Sequence, residues 1–144
     1  MSTKLNPKNG LFRICVDQKE DGRLSGRIVS QRLTAPMAFA DLGDLLLKVE
    51  GVLDAQNFPQ ASQRIRTFVQ DASEYPASVL PDGAMSEAEV EASRGALTTF
   101  QLAILTRRNA TWQGAVDWME DQSSMSFSSD LELLSLVDRH MEGL

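Results

Sequence analysis

Cysteine and histidine each occur once in this chain of 144 residues, as Cys15 and His140. A lone cysteine excludes an intrachain disulfide and a thiolate metal cluster, and it fits a reducing compartment. A lone histidine leaves few routes to proton transfer near neutrality, because no other side chain ordinarily titrates there. No run approaches the roughly 18 apolar residues of a membrane-spanning helix. Residues 1–10 are polar and lack the apolar core of a secretory signal. The expectation is a cytoplasmic protein without a membrane partner. Positive charge is also short: 14 Lys and Arg stand against 20 Asp and Glu, for a net charge of −6. That balance argues against nucleic acid, whose binders gain affinity by neutralising phosphates.

Catalytic motifs are missing as well. There is no phosphate-binding glycine loop, no His-Glu-x-x-His and no Gly-x-Ser-x-Gly. Asp17, Glu20 and Asp21 cluster, as do Asp117, Glu120 and Asp121, but neither set has the ligand spacing of a calcium loop. A Cys15–His140 pair is discounted because the strand pattern puts Cys15 on the sheet face away from the helices. These absences point away from an enzyme, and to no metal and no cofactor.

What the chain does hold is self-similarity. Residues 12–54 align without a gap on residues 100–142 at a constant offset of 88 positions. Phe12 falls on Phe100, Gly26 on Gly114, Met37 on Met125, Phe39 on Phe127, Leu45 and Leu46 on Leu133 and Leu134, and Val49 on Val137. Each matched residue is apolar or Gly, as a shared burial pattern requires. The apolar fraction of 42% is that of an ordinary globular domain, and one domain suits this length.

Within each copy the periods are clear. Phe12, Ile14 and Val16 alternate with Arg13 and Asp17, the mark of a half-buried strand. Asp21-Gly22 tolerates positive φ and predicts a hairpin onto Leu24, Gly26 and Ile28. Asp41 and Asp44 stand as helix-capping residues before Leu45, Leu46, Val49, Val52 and Leu53, with Gly51 marking a candidate end. In the second copy Phe100, Leu102 and Ile104 alternate, Arg108-Asn109-Ala110 turns the chain, and Trp112, Gly114, Val116 and Trp118 share a face. Ser129 and Glu132 form a capping box there. His140 falls at the far end of that helix, where a cation suits the negative pole of the dipole. Met37 and Met125 are expected to plug the junction of sheet and helix.

The expected architecture is therefore α+β: two ββα repeats forming a four-stranded antiparallel sheet with helices on one face. The single domain would comprise a loose tail (1–10), repeat one (11–54), an α-helical and loop insertion (55–98) and repeat two (99–144). In the insertion Pro59, Ala61, Ile65, Phe68 and Val69 suggest a short helix, and Ser86 with Glu89 a further capping box ahead of a segment stopped by Gly95. Even-numbered strand residues point to the helices. The odd-numbered face is mixed, and three readings stay open: a solvated face, cover by residues 58–98, or a docking surface for a second copy or a protein partner.

Residues 110–114, Ala-Thr-Trp-Gln-Gly, and 127–133, Phe-Ser-Ser-Asp-Leu-Glu-Leu, resemble the C-terminal part of small proteins of anaerobic Gram-positive bacteria. The likeness covers about a third of the chain. That group carries no assigned activity, so the resemblance implies no site. The function expected from the residues is a non-enzymatic interaction or adaptor module, self-associating or bound to a protein partner. Its candidate surface is Arg13, Cys15, Arg27, Val29, Gln101, Leu105, Gln113 and Trp118. The alternatives are a nucleic-acid-linked regulator using Arg13, Arg23, Arg27 and Arg32, or an acidic inhibitor of a basic partner.

Overall fold

The computed structural model describes residues 3–59 and 79–142. Strand β1 (Phe12–Glu20) turns back into β2 (Arg23–Val29) through Asp21 and Gly22, both at positive φ (52° and 79°) as that tight turn demands. A short strand β3 (Met37–Phe39) follows, and then helix α1 (Leu42–Gln56). After α2 (Glu87–Ala92) come β4 (Thr98–Thr106), a tight helical turn at Arg108–Ala110, β5 (Gln113–Trp118), β6 (Ser124–Phe127) and α3 (Asp130–Glu142).

All six strands form one antiparallel sheet in the order β3-β2-β1-β4-β5-β6. The expected four strands become six, and each unit reads βββα, because Met37–Phe39 and Ser124–Phe127 pair along the outer edges. Strands of three and four residues are too short to show an alternation in sequence. The pairings in the two halves keep the 88-position offset: Ile14 opposes Ile28 as Leu102 opposes Val116, and Gly26 opposes Phe39 as Gly114 opposes Phe127. Where the halves join, Phe12 opposes Leu102 and Ile14 opposes Phe100, with Arg13 against Gln101 between them.

The even-numbered residues face the long helices, as expected. Phe12, Ile14, Val16, Phe100, Leu102 and Val116 pack with Leu45, Val49 and Leu53 of α1 and Leu133, Val137 and Met141 of α3 in one core. Full burial of each such side chain contributes roughly 1.5–3 kcal/mol. Trp112 belongs to this core too, with its indole N–H on the Glu50 carboxylate. Met37 packs against the core from its rim, but Met125 is 44% exposed and plugs nothing.

Helix starts differ slightly from the expected capping box, and in the same way. The Asp44 amide donates to Asp41 and the Glu132 amide to Ser129, while the carboxylates of Asp44 and Glu132 accept from Ala40 and Ser128, one residue before the cap. Ser86 and Glu89 make the reciprocal box. Helix α1 runs through Gly51 and ends at Asn57, whose left-handed conformation closes the last turn. Helix α2 stops at Ala92, short of Gly95.

Two arginines close the outer end of the core. Arg32 is 2% exposed, donates to the carbonyls of Gly10 and Phe58, and lies over the rings of Phe12 and Phe58. Burial, with Arg107 nearby, lowers its pKa to about 10. Arg107 is 4% exposed and binds Pro59 O, Leu53 O, Glu50 and Asp54. Residues 3–10, expected as a loose tail, are tied down: Leu80 N donates to Thr3 O, and the Asn6 side chain takes the amides of Lys8 and Asn9. Ala61, Ile65, Phe68 and Val69 lie outside the described residues.

Candidate interaction surface

The odd-numbered face of the sheet divides at the β1–β4 seam. Over the first half, residues 79–97 lie against the strands. Cys15 and Val29 are fully buried in a small second cluster with Met85 and Val90. Backbone bonds fix this cover, from Met85 N to Leu33 O at 2.8 Å and from Leu97 N to Val16 O at 2.9 Å. Gly95 sits so close to Val16 that a Cβ there would strike its backbone. Asp17 holds the end of the segment: it accepts from Ala96 N at 3.0 Å and pairs with Arg27, which also donates to Arg94 O. The Arg27 hydrogen bond is the main reason the Asp17 carboxyl sits below its ordinary pKa.

Four members of the candidate surface therefore serve the covered half. Arg13 is 4% exposed and donates to Ser93 O, and burial lowers its pKa. Cys15 and Val29 contribute buried apolar surface, and burial pushes the Cys15 thiol up, away from the thiolate. Arg27 is spent on Asp17 and Arg94. Arg13, Cys15 and Val29 meet no partner without displacing the chain's own segment, whereas the Arg27 side chain stays 39% exposed. Nor do the arginines of the hairpin form a basic strip, since Arg13 and Arg32 are buried and Arg27 is paired, leaving Arg23 exposed.

The cover reaches just past the seam, where Thr99 is buried and takes the Gly95 amide, and beyond that point no described segment lies over the second half. Leu105 is 50% exposed, and Gln101, Ala103, Ala115 and Asp117 are half-buried beside it. Cross-strand pairing sets Ala103 against Ala115 and Ala115 against Ser126, so the middle of this face is small and flat. A groove of about 650 Å³ runs along its end, bordered by Arg94, Asp117, Glu120, Gln122 and Ser123. Gln113 plays a different role. Its amide oxygen accepts from Thr106 and Arg108 N, and its nitrogen donates to Arg108 O and Thr111 O, so it locks the turn. That turn needs locking, because Asn109 and Ala110 both hold positive φ.

Trp118 leaves the surface altogether. It is 2% exposed on the core side, 4.8 Å from the Phe100 ring and stacked on His140 at 3.7 Å and 6°. His140 therefore packs on an indole, with the sheet between it and Cys15. Among the described residues no group of three or more His, Cys, Asp and Glu is placed to hold a metal ion. No described helix is long and apolar enough to cross a membrane.

Sequence reasoning missed the outer edges. In β6, Ser124, Met125 and Ser126 are all exposed. In β3, Ala38 is exposed but its carbonyl accepts from the Lys48 ammonium at 2.5 Å. No family model, curated protein or solved structure matches the chain.

Proposed function

We propose that this chain is a non-enzymatic protein-interaction module, built from two copies of one βββα unit, that associates through the open half of its odd-numbered sheet face. The observation that carries this reading is the uneven cover. Residues 79–97 pack over Cys15 and Val29, whereas Leu105 is 50% exposed and Ala103 and Ala115 are partly exposed beside it. The coincident strand registers and helix caps support two copies of one unit.

The first occupant to test is a second copy. Arg94 and Asp117 both border the bare face, so two identical faces meeting across a two-fold axis can set opposite charges together. Strands about 4.8 Å apart and about 3.3 Å per residue give this half-face roughly 300 Å². That is well under the ~800 Å² per partner of a stable complex, so self-association is weak. Sedimentation equilibrium up to millimolar protein should show the average mass rising toward a dimer, and Leu105→Glu should hold it at the monomer. Wild-type protein that stays monomeric throughout rejects self-association.

A second reading, a module for a basic partner, has its own support. Residues 113–132 carry five carboxylates, Asp117, Glu120, Asp121, Asp130 and Glu132, and no Lys or Arg.

A further inference from the structure

The two outer edges of the sheet differ in one respect that bears on binding. The Trp118 amide donates to the Ser123 carbonyl, and this bond fixes the phase of the β5–β6 ladder. In an antiparallel pair, hydrogen-bonded and non-bonded positions alternate. Residues 125 and 127 therefore turn their backbone groups toward β5, and Ser124 and Ser126 turn theirs outward.

The equivalent outward positions at the other edge, 88 residues earlier, are Pro36 and Ala38. Pro36 has no N–H to offer, and the Ala38 carbonyl is taken by Lys48. Position 88 beyond Lys48 is Leu136, which is buried in the core and can cap nothing. Among the described residues no side chain bonds to the backbone of Ser124–Phe127. Among the described residues, one edge is partly closed, by Pro36 and Lys48, and the other is open.

We infer that β6 is an acceptor edge, to which an extended segment of a basic partner protein adds as a further strand. The inference rests on the basic-partner reading above. Main-chain bonds to Ser124 and Ser126 would supply the affinity, and side-chain alternation the selectivity. On the core side, the side of the buried Phe127, Met125 at 44% exposure calls for apolar residues in the added strand. On the odd side, Asp117 lies directly across from Ser124, and Asp121 lies in the turn before it, so that face calls for Lys or Arg. A second copy is the wrong occupant at this edge. Pairing β6 with itself would bring two sets of those carboxylates together.

The probe is a fluorescein-labelled octapeptide alternating Lys and Val, followed by fluorescence anisotropy. Three comparisons accompany it: the same peptide with alternate backbone nitrogens methylated, an alternating Glu and Val peptide, and protein carrying Ser126→Pro. Salt-sensitive binding of the Lys peptide is expected, weakened about tenfold or more by N-methylation and by Ser126→Pro, and undetectable for the Glu peptide. Hydrogen exchange at the Ser124 and Ser126 amides should slow on binding. Equal binding of the methylated and unmodified Lys peptides overturns strand addition while leaving the basic-partner reading standing. Failure of the Lys peptide to bind overturns both. Should Ser126→Pro not fold, the methylated peptide and the exchange rates still decide.

Discussion

The N-terminal and C-terminal halves of this chain share strand registers, helix caps and β-bulges, between Val16 and Gln18 in one and between Ile104 and Thr106 in the other. They differ in what lies over them. In the first half residues 79–97 cover the odd face and Lys48 bonds to the outer edge, whereas in the second half the described cover stops at Thr99 and no described side chain bonds to the outer edge. The shared features account for folding, since each pairs strands, caps a helix or fills the core. The unshared ones leave one half of a near-symmetric sheet available. The seam marks the boundary: Arg13, opposite Gln101, reaches into the cover and binds Ser93, while Gln101 lies between α2 of the cover and the open side.

The sharpest test of the likeness is at the glycines. A Cβ on Gly26 would collide with the Cys15 carbonyl, and one on Gly114 with the Ala103 carbonyl. Neither has positive φ, so the requirement at both is close approach of the neighbouring strand rather than a special turn. Gly26→Ala and Gly114→Ala should each destabilise the protein by about 3 kcal/mol, through overpacking that moves a central strand. Urea denaturation of both variants checks this. Losses that differ by more than about 1 kcal/mol would break the equivalence of the halves at its most constrained point.

Much of this was legible in the sequence. Alternation over Phe12–Val16 and Phe100–Ile104 gave the buried face, Asp21-Gly22 gave the hairpin, and the 88-position offset aligned strands that do take matching registers. The edge strands were not legible, because Met37–Phe39 and Ser124–Phe127 owe their state to backbone pairing rather than to side-chain pattern. The burial of Arg32 and Arg107 was not legible either, because it depends on carbonyls of Gly10, Phe58 and Pro59 that local sequence cannot bring near. Of the candidate surface, Gln101 and Leu105 stay accessible. Arg13, Cys15 and Val29 share their face but lie under a segment more than 50 residues away in sequence.

Arg107 and Lys19 occupy equivalent positions and make equivalent bonds. Lys19 donates to the Met141 carbonyl at the end of α3, and Arg107 to the Leu53 carbonyl at the end of α1. Their surroundings are unequal, since Lys19 is exposed and Arg107 buried with further bonds to Pro59, Glu50 and Asp54. Arg107→Ala should therefore cost about 2 kcal/mol by stranding buried carbonyls, and Lys19→Ala less than about 1 kcal/mol. Thermal or chemical unfolding of the pair measures the difference. Equal losses would mean that the extra contacts of Arg107 contribute nothing.

The smallest effect concerns the cover itself. Asp17 is held below its ordinary pKa of 3.8, chiefly by Arg27 and also by the Ala96 amide. A carboxyl whose folded pKa is depressed lends stability that is present above the unfolded value and is lost as pH falls through the folded one. Wild-type protein should thus exceed Asp17→Asn in stability at neutral pH by less than about 1 kcal/mol, as both partners are partly solvated. That margin should shrink steadily below about pH 4. Acid titration of both proteins in fixed urea measures it, and a margin unchanged to about pH 2 would dissociate Asp17 from the effect. The equivalent of Asp17 in the second half is Leu105, which holds nothing down. Asp17→Asn should accordingly speed hydrogen exchange at Ala96 and Leu97 while leaving β4 and β5 unchanged, making the covered half more like the open one.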